Sequence, residues 1–179
     1  GRITEIVDFN VGLRYSITEN MPLFVNDTST ALLNTFGLVY DDVNVFTFNG
    51  MLGFRSKSDF GLLLKVAFNA YSTDQEEKAW HRPALDASLE SYYILKEKLK
   101  ISADLHFRSG MYARTFKNNV VEPELLDAWF DLGLGAEYRI TRQFSAFVKL
   151  NNILNQQYYR WYNYPVQQFN ALAGIGFSF

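Results

Sequence analysis

The chain has no cysteine among its 179 residues, which excludes disulfide bonds and thiolate metal sites. Its two histidines lack a close metal-ligand spacing, so we expect no bound metal and no cofactor. A net charge of -2 leaves no basic footprint, and we expect no nucleic-acid partner. No run approaches eighteen consecutive apolar residues, which excludes a transmembrane helix.

The start of the chain also lacks a charged segment followed by an apolar stretch. It opens directly with Gly1-Arg2-Ile3. We expect either that a signal peptide has been removed or that this chain is a piece of a longer protein.

Strict alternation of apolar and polar residues is what the sequence does contain, most clearly at its end. A strand of about ten residues with one apolar face has the length needed to cross a bilayer at a tilt. Leu172 is the one apolar residue on the opposite face. The segment predicts a final membrane strand and an assembly signal read by barrel-assembly machinery, carried by Phe169, Ala171, Ala173, Ile175, Phe177 and Phe179.

The same period recurs along the chain and predicts an all-β fold, an antiparallel up-and-down transmembrane β-barrel occupying residues 1–179. Pro22–Asn26 adds a ninth short strand, and Phe36–Tyr40 would make ten. Because intact bacterial barrels have even strand numbers, an odd count favours the C-terminal portion of a larger barrel. Seven earlier strands are predicted at 7–16, 46–55, 60–69, 85–93, 101–108, 128–140 and 144–151.

The connections between these segments alternate in length. Short turns are predicted at 56–59, 96–100 and 141–143, and longer loops at 72–83, 113–127 and 155–168. Short turns at one rim and long loops at the other are typical of outer-membrane barrels. Apolar-face aromatics at the short-turn end predict an interfacial girdle, formed by Tyr15, Phe54, Phe60, Tyr93, Tyr138, Phe144 and Phe177.

A soluble barrel of the lipocalin type is the alternative, since it alternates equally well with its apolar face turned inwards. It would need a narrow lumen packed with phenylalanine and would gain nothing from aromatics at one rim. Charged residues at mid-strand positions on the polar face fit a wide, wet lumen better. We predict a lumenal polar network of Asp86, Glu90, Asp104, His106, Arg108, Asp131 and Glu137.

Residues 144–179 resemble the end of the TonB-dependent receptor family. The run Asn151–Tyr158 is similar to the Asn-rich end of that family's penultimate strand, and Tyr158–Pro165 to its Tyr-rich loop. Asp131–Tyr138 resembles the third strand from the end. The family's frequent Gly-Arg pair is replaced by Gln167-Gln168, and nothing resembles its plug domain or TonB box. The resemblance implies ligand binding or import at the outer membrane of a Gram-negative bacterium, or a plugless receptor-like branch.

Two aromatic loop segments are the candidate contacts for an unidentified small ligand, because aromatic faces and arginine suit sugars and siderophores. The alternative is that these side chains form an outer girdle and pack within the loops. The candidate ligand residues are Trp80, His81, Arg82, Tyr159, Arg160, Trp161 and Tyr162.

An enzyme is the least supported function. His106 shares a face with Ser102 and Asp104, but same-face neighbours are about 7 Å apart, and no nucleophile motif accompanies them. We therefore predict no catalysis. A barrel subunit that anchors an outer-membrane complex remains a second hypothesis, and a small-barrel enzyme acting on lipid or peptide a third. Expected partners are outer-membrane lipid, the rest of a larger barrel and other outer-membrane subunits.

Overall fold

A computed structural model describes residues 7–27, 35–56, 59–117 and 120–178. Within these ranges there is no helix long and apolar enough to cross a membrane. The regular structure of the described residues consists of the strands β1 Val7–Asn26, β2 Phe36–Arg55, β3 Phe60–Thr73, β4 Leu85–Leu95, β5 Leu99–Arg108, β6 Met111–Lys117, β7 Val120–Leu126, β8 Trp129–Arg139, β9 Phe144–Asn151, β10 Tyr159–Trp161, β11 Tyr164–Pro165 and β12 Asn170–Phe177.

Eight of these strands form one antiparallel sheet in the order β1-β2-β3-β4-β5-β8-β9-β12. Each strand pairs with its neighbour along the chain, apart from two hairpins, β6-β7 and β10-β11, that lie outside the sheet. The all-β, antiparallel, up-and-down prediction is confirmed. In the described part of the chain the sheet is open, with β1 and β12 as its edges.

The predicted ninth and tenth strands are wrong. Pro22–Asn26 continues β1 after a bulge between Thr18 and Met21, where Asn20 has a φ of 51°. Phe36–Tyr40 is the beginning of β2. An extra residue bends a strand without ending it, so the sequence pattern breaks where the strand does not. The described residues therefore contribute eight strands to the sheet, and β1 begins at the same rim where β12 ends. Residues 28–34 of the weak region lie outside the described part.

Two aromatic belts border the apolar face of the sheet. Aromatic pairs spaced eight residues apart lie on three strands, Phe46 and Phe54, Phe60 and Phe68, Phe130 and Tyr138, and a fourth pair joins Phe169, just before β12, to Phe177. Eight residues span about 27 Å of strand, or about 20 Å across a membrane at the usual tilt. That separation fits the apolar band of a membrane barrel.

The lower belt runs along the short-turn rim. Contacts between ring centroids join Phe54 to Phe60 at 6.0 Å and Phe144 to Phe177 at 4.7 Å. Tyr93 and Tyr138 lie near the same rim by register. Tyr15 does not, because it pairs with Phe46, eight residues up the strand from the Val7–Phe54 pair. The sequence prediction for Tyr15 is therefore wrong. Tyr15 belongs to the upper belt, the aromatic residues at the long-connection end of the apolar face, with Phe46, Phe68, Phe130 and Phe169.

The long connections differ from open loops in one respect. Residues 113–127 were predicted as a loop, yet β6 and β7 form a regular hairpin there. Pro123 lies on β7, opposite Arg114. Proline is tolerated in a two-stranded hairpin because each strand has a free edge, but it argues against a strand in the sequence. The predicted loop at 155–168 likewise contains a short hairpin, β10-β11. The alternation of short turns and long connections is as predicted.

The polar face of the sheet is not polar throughout. Where β1 and β2 extend past the upper belt, Leu23 and Val25 pack around the buried Trp80. We call this region, residues 21–26 and 36–42, the β1-β2 extension. It positions the connecting segments described next.

Candidate functional site

Asp41 fixes the connection between β3 and β4 to the β1-β2 extension. Its carboxylate, 2% exposed, accepts backbone N–H bonds from Gln75 at 3.0 Å, Glu76 at 2.8 Å and Asp42 at 2.9 Å. Burial raises the pKa of Asp41, but these hydrogen bonds from Glu76, Gln75 and Asp42 outweigh it and hold the pKa below 3.8. Asp41 lies five residues beyond Phe46, outside the part of the sheet between the aromatic belts. The anchored segment carries Trp80, His81 and Arg82.

Trp80 forms the core of this rim and is 1% exposed. Its Nε1–H donates to Glu76 Oε2 at 2.8 Å, and the other Glu76 oxygen accepts from Arg114 Nη1 at 3.3 Å. The ion pair joins the β3-β4 connection to the β6-β7 hairpin. This burial gives Trp80 no free surface for a ligand in this conformation.

His81 joins three segments that are distant in sequence. Nδ1–H donates to the Phe24 carbonyl at 3.1 Å, which makes Nε2 the acceptor of the Tyr162 N–H at 3.4 Å. The backbone N–H of His81 donates to the Tyr112 carbonyl at 2.8 Å. Burial lowers the pKa of His81 below 6.5, opposed by the hydrogen bond to Phe24. The imidazole is thus held neutral. It forms a clamp between the β1-β2 extension and the segment from β9 to β12, residues 152–169, which we call the last connection.

Trp161 is the aromatic centre of the last connection. Its ring lies 5.0 Å from His81, 5.3 Å from Phe24 and 5.6 Å from Phe36, measured between centroids. It remains 38% exposed, as does Tyr159. The structure therefore brings His81, Trp161 and Tyr162 together from the predicted ligand set. For Arg82, the contact shown is a backbone bond from its N–H to the Ala79 carbonyl at 3.2 Å.

A second cluster lies below these loops and centres on Trp129. Its ring stacks on Tyr158, with 4.1 Å between centroids and 16° between planes. The guanidinium groups of Arg108 and Arg160 lie 5.4 and 5.8 Å from its centre. The Tyr158 hydroxyl donates to Asp131 Oδ2 at 2.6 Å. Burial and this bond to Asp131 raise the pKa of Tyr158 above 10.0.

Asn152 anchors the last connection from its first turn, and sequence reasoning missed it as a site residue. The amide, 2% exposed, donates to the Gln156 and Gln167 carbonyls at 2.9 and 3.3 Å. Its oxygen accepts the Gln156 N–H at 3.0 Å. The run of asparagines from 151 to 155 was the available signal. Since Gln167 contributes only its backbone, the departure from Gly-Arg at 167–168 leaves this contact intact.

The seven predicted lumenal residues all lie on the polar face, and several have direct partners. Arg108 pairs with Asp86 at 2.6 Å, and Lys65 pairs with Glu90 at 2.7 Å. Asp131 binds Tyr158, as above. By register, Asp104 lies opposite Glu90, His106 opposite both Ser88 and Asp131, and Glu137 opposite Lys100. Across the described ranges, no three His, Asp or Glu side chains form a group able to hold a metal ion.

A cavity of about 310 Å³ lies between the β6-β7 hairpin and residues 156–163. The carboxylates of Glu124 and Asp127 line it, with side-chain amides and three tyrosine rings. The Tyr162 hydroxyl donates a hydrogen bond to Glu124. Burial, the Glu124 charge and this hydrogen bond raise the pKa of the Tyr162 phenol above 10.0. The cavity opens among the long connections, on the side where candidate ligand residues Tyr159 and Tyr162 lie.

The terminal strand places its predicted assembly residues on the apolar face. Phe169 is 51% exposed and Ile175 79% exposed, because β12 is an edge of the sheet. The two alanines, Ala171 and Ala173, pair with Leu150 and Val148 of β9, and Phe177 with Phe144. Phe179 lies outside the described residues.

Comparison with protein-family models and with curated protein sequences gives no match. Solved structures do match. The pyoverdine outer membrane receptor FpvA from Pseudomonas aeruginosa aligns with a TM-score of 0.76 and 16% identity, over 97% of this chain and 27% of the receptor. The ferric-catecholate import receptor Fiu from E. coli gives 0.76 and 14%, over 99% of this chain and 26% of Fiu.

The copper transporter OprC gives a TM-score of 0.75 at 12% identity, over 98% of this chain and 29% of OprC. This chain thus spans between a quarter and a third of the length of these three proteins. At such identities the likeness concerns the fold. The eight-stranded sheet with its long connections has the architecture of a TonB-dependent receptor barrel, of which it covers one sector.

Proposed function

We propose that this chain is a sector of an outer-membrane receptor barrel that binds a small ligand at the surface of a Gram-negative cell for import. The observation that carries the proposal is the match of nearly the whole chain to receptor and transporter barrels, at TM-scores of 0.75 to 0.76. The structures matched are themselves receptors of ferric pyoverdine or ferric catecholate, or a copper transporter. Small metal complexes or ions are therefore the first ligands to test.

Two features of the molecule support membrane insertion. The belts bound an apolar face on which Val11 is 62% and Leu13 70% exposed. Water would leave this continuous apolar surface uncovered, whereas lipid covers it. In the described part of the chain, β1 and β12 are the two edges of the sheet, and a sheet edge is where further strands of a larger barrel would pair. We propose those further strands as the direct partners of this chain.

The arrangement of the long connections supports ligand binding at the outer rim. His81 of the β3-β4 connection meets Trp161 and Tyr162 of the last connection over the β1-β2 extension. Exposed aromatic rings and a cavity of about 310 Å³ lie beside them. Pockets of this size with a few polar groups suit small molecules. We assign no catalytic step to the chain, and His106→Ala is expected to leave import unchanged.

Import by cells tests this proposal. Cells that lack the complete gene product should accumulate less of at least one ferric chelate or of copper than cells that carry it. Fractionation should place the protein in the outer membrane. Deletion of residues 159–164 should abolish uptake while leaving the barrel inserted. The receptor function would be refuted if the protein were found in the soluble fraction. It would also be refuted if loss of the gene product changed the accumulation of none of the tested metal species.

A further inference from the structure

The cavity beside the β6-β7 hairpin has a distinctive charge. Glu124 and Asp127 contribute two exposed carboxylates, and neither lysine nor arginine is among its lining residues. Gln156, Gln157 and Asn163 add side-chain amides. The Gln156 side-chain oxygen accepts the Phe130 N–H at 3.0 Å, which fixes the position of this amide.

Nearby arginines do not neutralise this charge. Arg108 pairs with Asp86 at 2.6 Å and Arg114 with Glu76 at 3.3 Å. Arg160 lies over the Trp129 ring, beside the Tyr158 hydroxyl. Each guanidinium is therefore held against another group of the protein rather than in the wall of the cavity.

The phenol of Tyr162 orients one of the acceptors of the site. Its hydroxyl keeps its proton and donates a hydrogen bond to the Glu124 carboxylate, which keeps its charge. A carboxylate is an acceptor with up to four lone-pair positions, and one donor leaves the others open. Tyrosine rings provide faces that attract cations. The wall thus offers acceptors and aromatic faces to a ligand that brings hydrogen-bond donors.

We infer that this cavity admits cationic or uncharged ligands rich in hydrogen-bond donors and discriminates against anionic ones, with Glu124 and Asp127 as the residues that set this preference. The inference rests on the proposed receptor function and adds the charge class of the ligand. Two unit charges about 8 Å apart interact by about 1 kcal/mol at an effective dielectric constant of about 40. Each carboxylate should thus change the affinity for a singly charged ligand about fivefold at low salt.

Two iron complexes of opposite charge provide the test. The complete receptor, purified in detergent, is equilibrated at low ionic strength with radiolabelled ferric tris-hydroxamate bearing a pendant ammonium group, or with ferric tris-catecholate. The first complex is cationic and the second is anionic. We expect the cationic complex to bind at least tenfold more tightly, with the difference decreasing as salt is added.

A double substitution, Glu124→Gln with Asp127→Asn, removes both charges and keeps similar shapes. It should raise the affinity for the anionic complex about tenfold or more and lower that for the cationic complex. Glu77→Gln is the matched control, because Glu77 is an exposed outer-rim carboxylate that does not line the cavity. It should change neither affinity by more than about twofold.

The outcomes separate the inference from the proposed function. Equal or tighter binding of the anionic complex, unchanged in the double variant, overturns the charge preference while the receptor function stands. Equal effects of Glu77→Gln and the double substitution also overturn it, since any surface charge would then suffice. If neither complex binds and loss of the gene product changes no uptake, both the receptor function and the inference fail.

Discussion

The sheet between its aromatic belts and the long-connection rim are stabilised in opposite ways. Between the belts, Leu89, Leu105 and Leu132 lie side by side in register, and any apolar side chain of similar size would serve. At the rim, single polar groups such as Asp41 and Asn152 each anchor one segment through several hydrogen bonds. In the proposed membrane setting, lipid on one face and a polar lumen on the other determine which side chains the sheet carries. At the rim, specific pairs of residues determine the structure.

The largest expected effect comes from a charge on the apolar face. Leu105→Arg would place a guanidinium in lipid, between the bilayer midplane and the upper belt, and we expect a loss of about 2 to 3 kcal/mol in folding free energy. Reversible urea unfolding in lipid vesicles would measure it.

His106→Arg is the matched control, one residue along the same strand and on the polar face. It should cost less than about 1 kcal/mol because a lumenal guanidinium stays hydrated. If both substitutions lower the free energy of unfolding equally, the two faces of the sheet do not differ in solvent. The comparison between sheet and rim would then fail in its account of the sheet.

A smaller effect, confined to the rim, is expected for Asn152→Ala. The substitution removes three hydrogen bonds, leaves half-buried backbone groups of Gln156 unpaired and puts alanine at a φ of 47°, so we expect the last connection to lose about 2 kcal/mol or more of local stability. Trypsin cleavage at Arg160, timed at neutral pH, should accelerate more than tenfold.

Asn151→Ala tests whether that effect depends on burial. Asn151 donates to Asn170 Oδ1 at 2.8 Å, but this pair is exposed. The cleavage rate should change less than about threefold, because water replaces the lost partner. A rate as high as that of the Asn152 variant would show that the connection is not anchored by its buried amide.

These contrasts explain what the sequence could predict. The alternation of residues 60–68 or 130–138 reports the two environments of one strand, so strands, turns and belts could be assigned from it. The bulge at Thr18–Met21 hid the continuity of β1, because one extra residue reverses the phase of the pattern. Partners such as Asp41 and Gln75 are joined by folding alone, and no local pattern records their contact.

Candidate ligand residues show the same division. Aromatic composition identified Trp80, His81 and Trp161, but composition does not distinguish an exposed ring from a buried one. Trp80 is buried on Leu23, whereas Trp161 stays partly exposed. Glu124 was missed as a site residue because it lines the cavity only through its place on the β6-β7 hairpin. Pro123 argued against a strand there, so the hairpin was not predicted.

The clamp made by His81 should open in mild acid. Its pKa in the folded rim lies below the unfolded value near 6.5, so between these values the opened rim binds more protons. Stability from the clamp is therefore full above pH 6.5 and is lost as the pH falls through the lowered pKa. Hydrogen exchange of residues 158–165, corrected for intrinsic rates, should accelerate between pH 7.5 and about 5.

His81→Asn separates this titration from other groups near the clamp, such as Glu124 on Tyr162, Lys78 over Tyr112, and Glu76 with Arg114. Asparagine tolerates the positive φ of 54° at this position but does not titrate. In the His81→Asn variant, hydrogen exchange of residues 158–165 should be faster than in the wild type at pH 7.5 and, after correction for intrinsic rates, nearly independent of pH. An unchanged pH response would assign the effect to the neighbouring acids.

The smallest effect concerns the short-turn rim. Lys96 and Glu97 both have positive φ, at 50° and 58°, and the Lys98 N–H donates to the Leu95 carbonyl at 3.1 Å. This is a type I′ turn, which favours Asn-Gly. Lys96→Asn with Glu97→Gly should stabilise the barrel by about 1 kcal/mol in urea. Arg142→Gly, in a turn position without positive φ, should instead destabilise it by about 0.5 kcal/mol.

The most direct test of the two-solvent sheet uses the absence of cysteine from the chain. Single cysteines placed in turn along residues 130–138 of the complete protein can carry a fluorophore, with quenchers attached to lipid tails. Quenching should alternate with a period of two, with maxima at Phe130, Leu132, Leu134, Ala136 and Tyr138. Maxima at the intervening positions, or uniform quenching along β8, would contradict a sheet with one face in lipid and the other in a polar lumen.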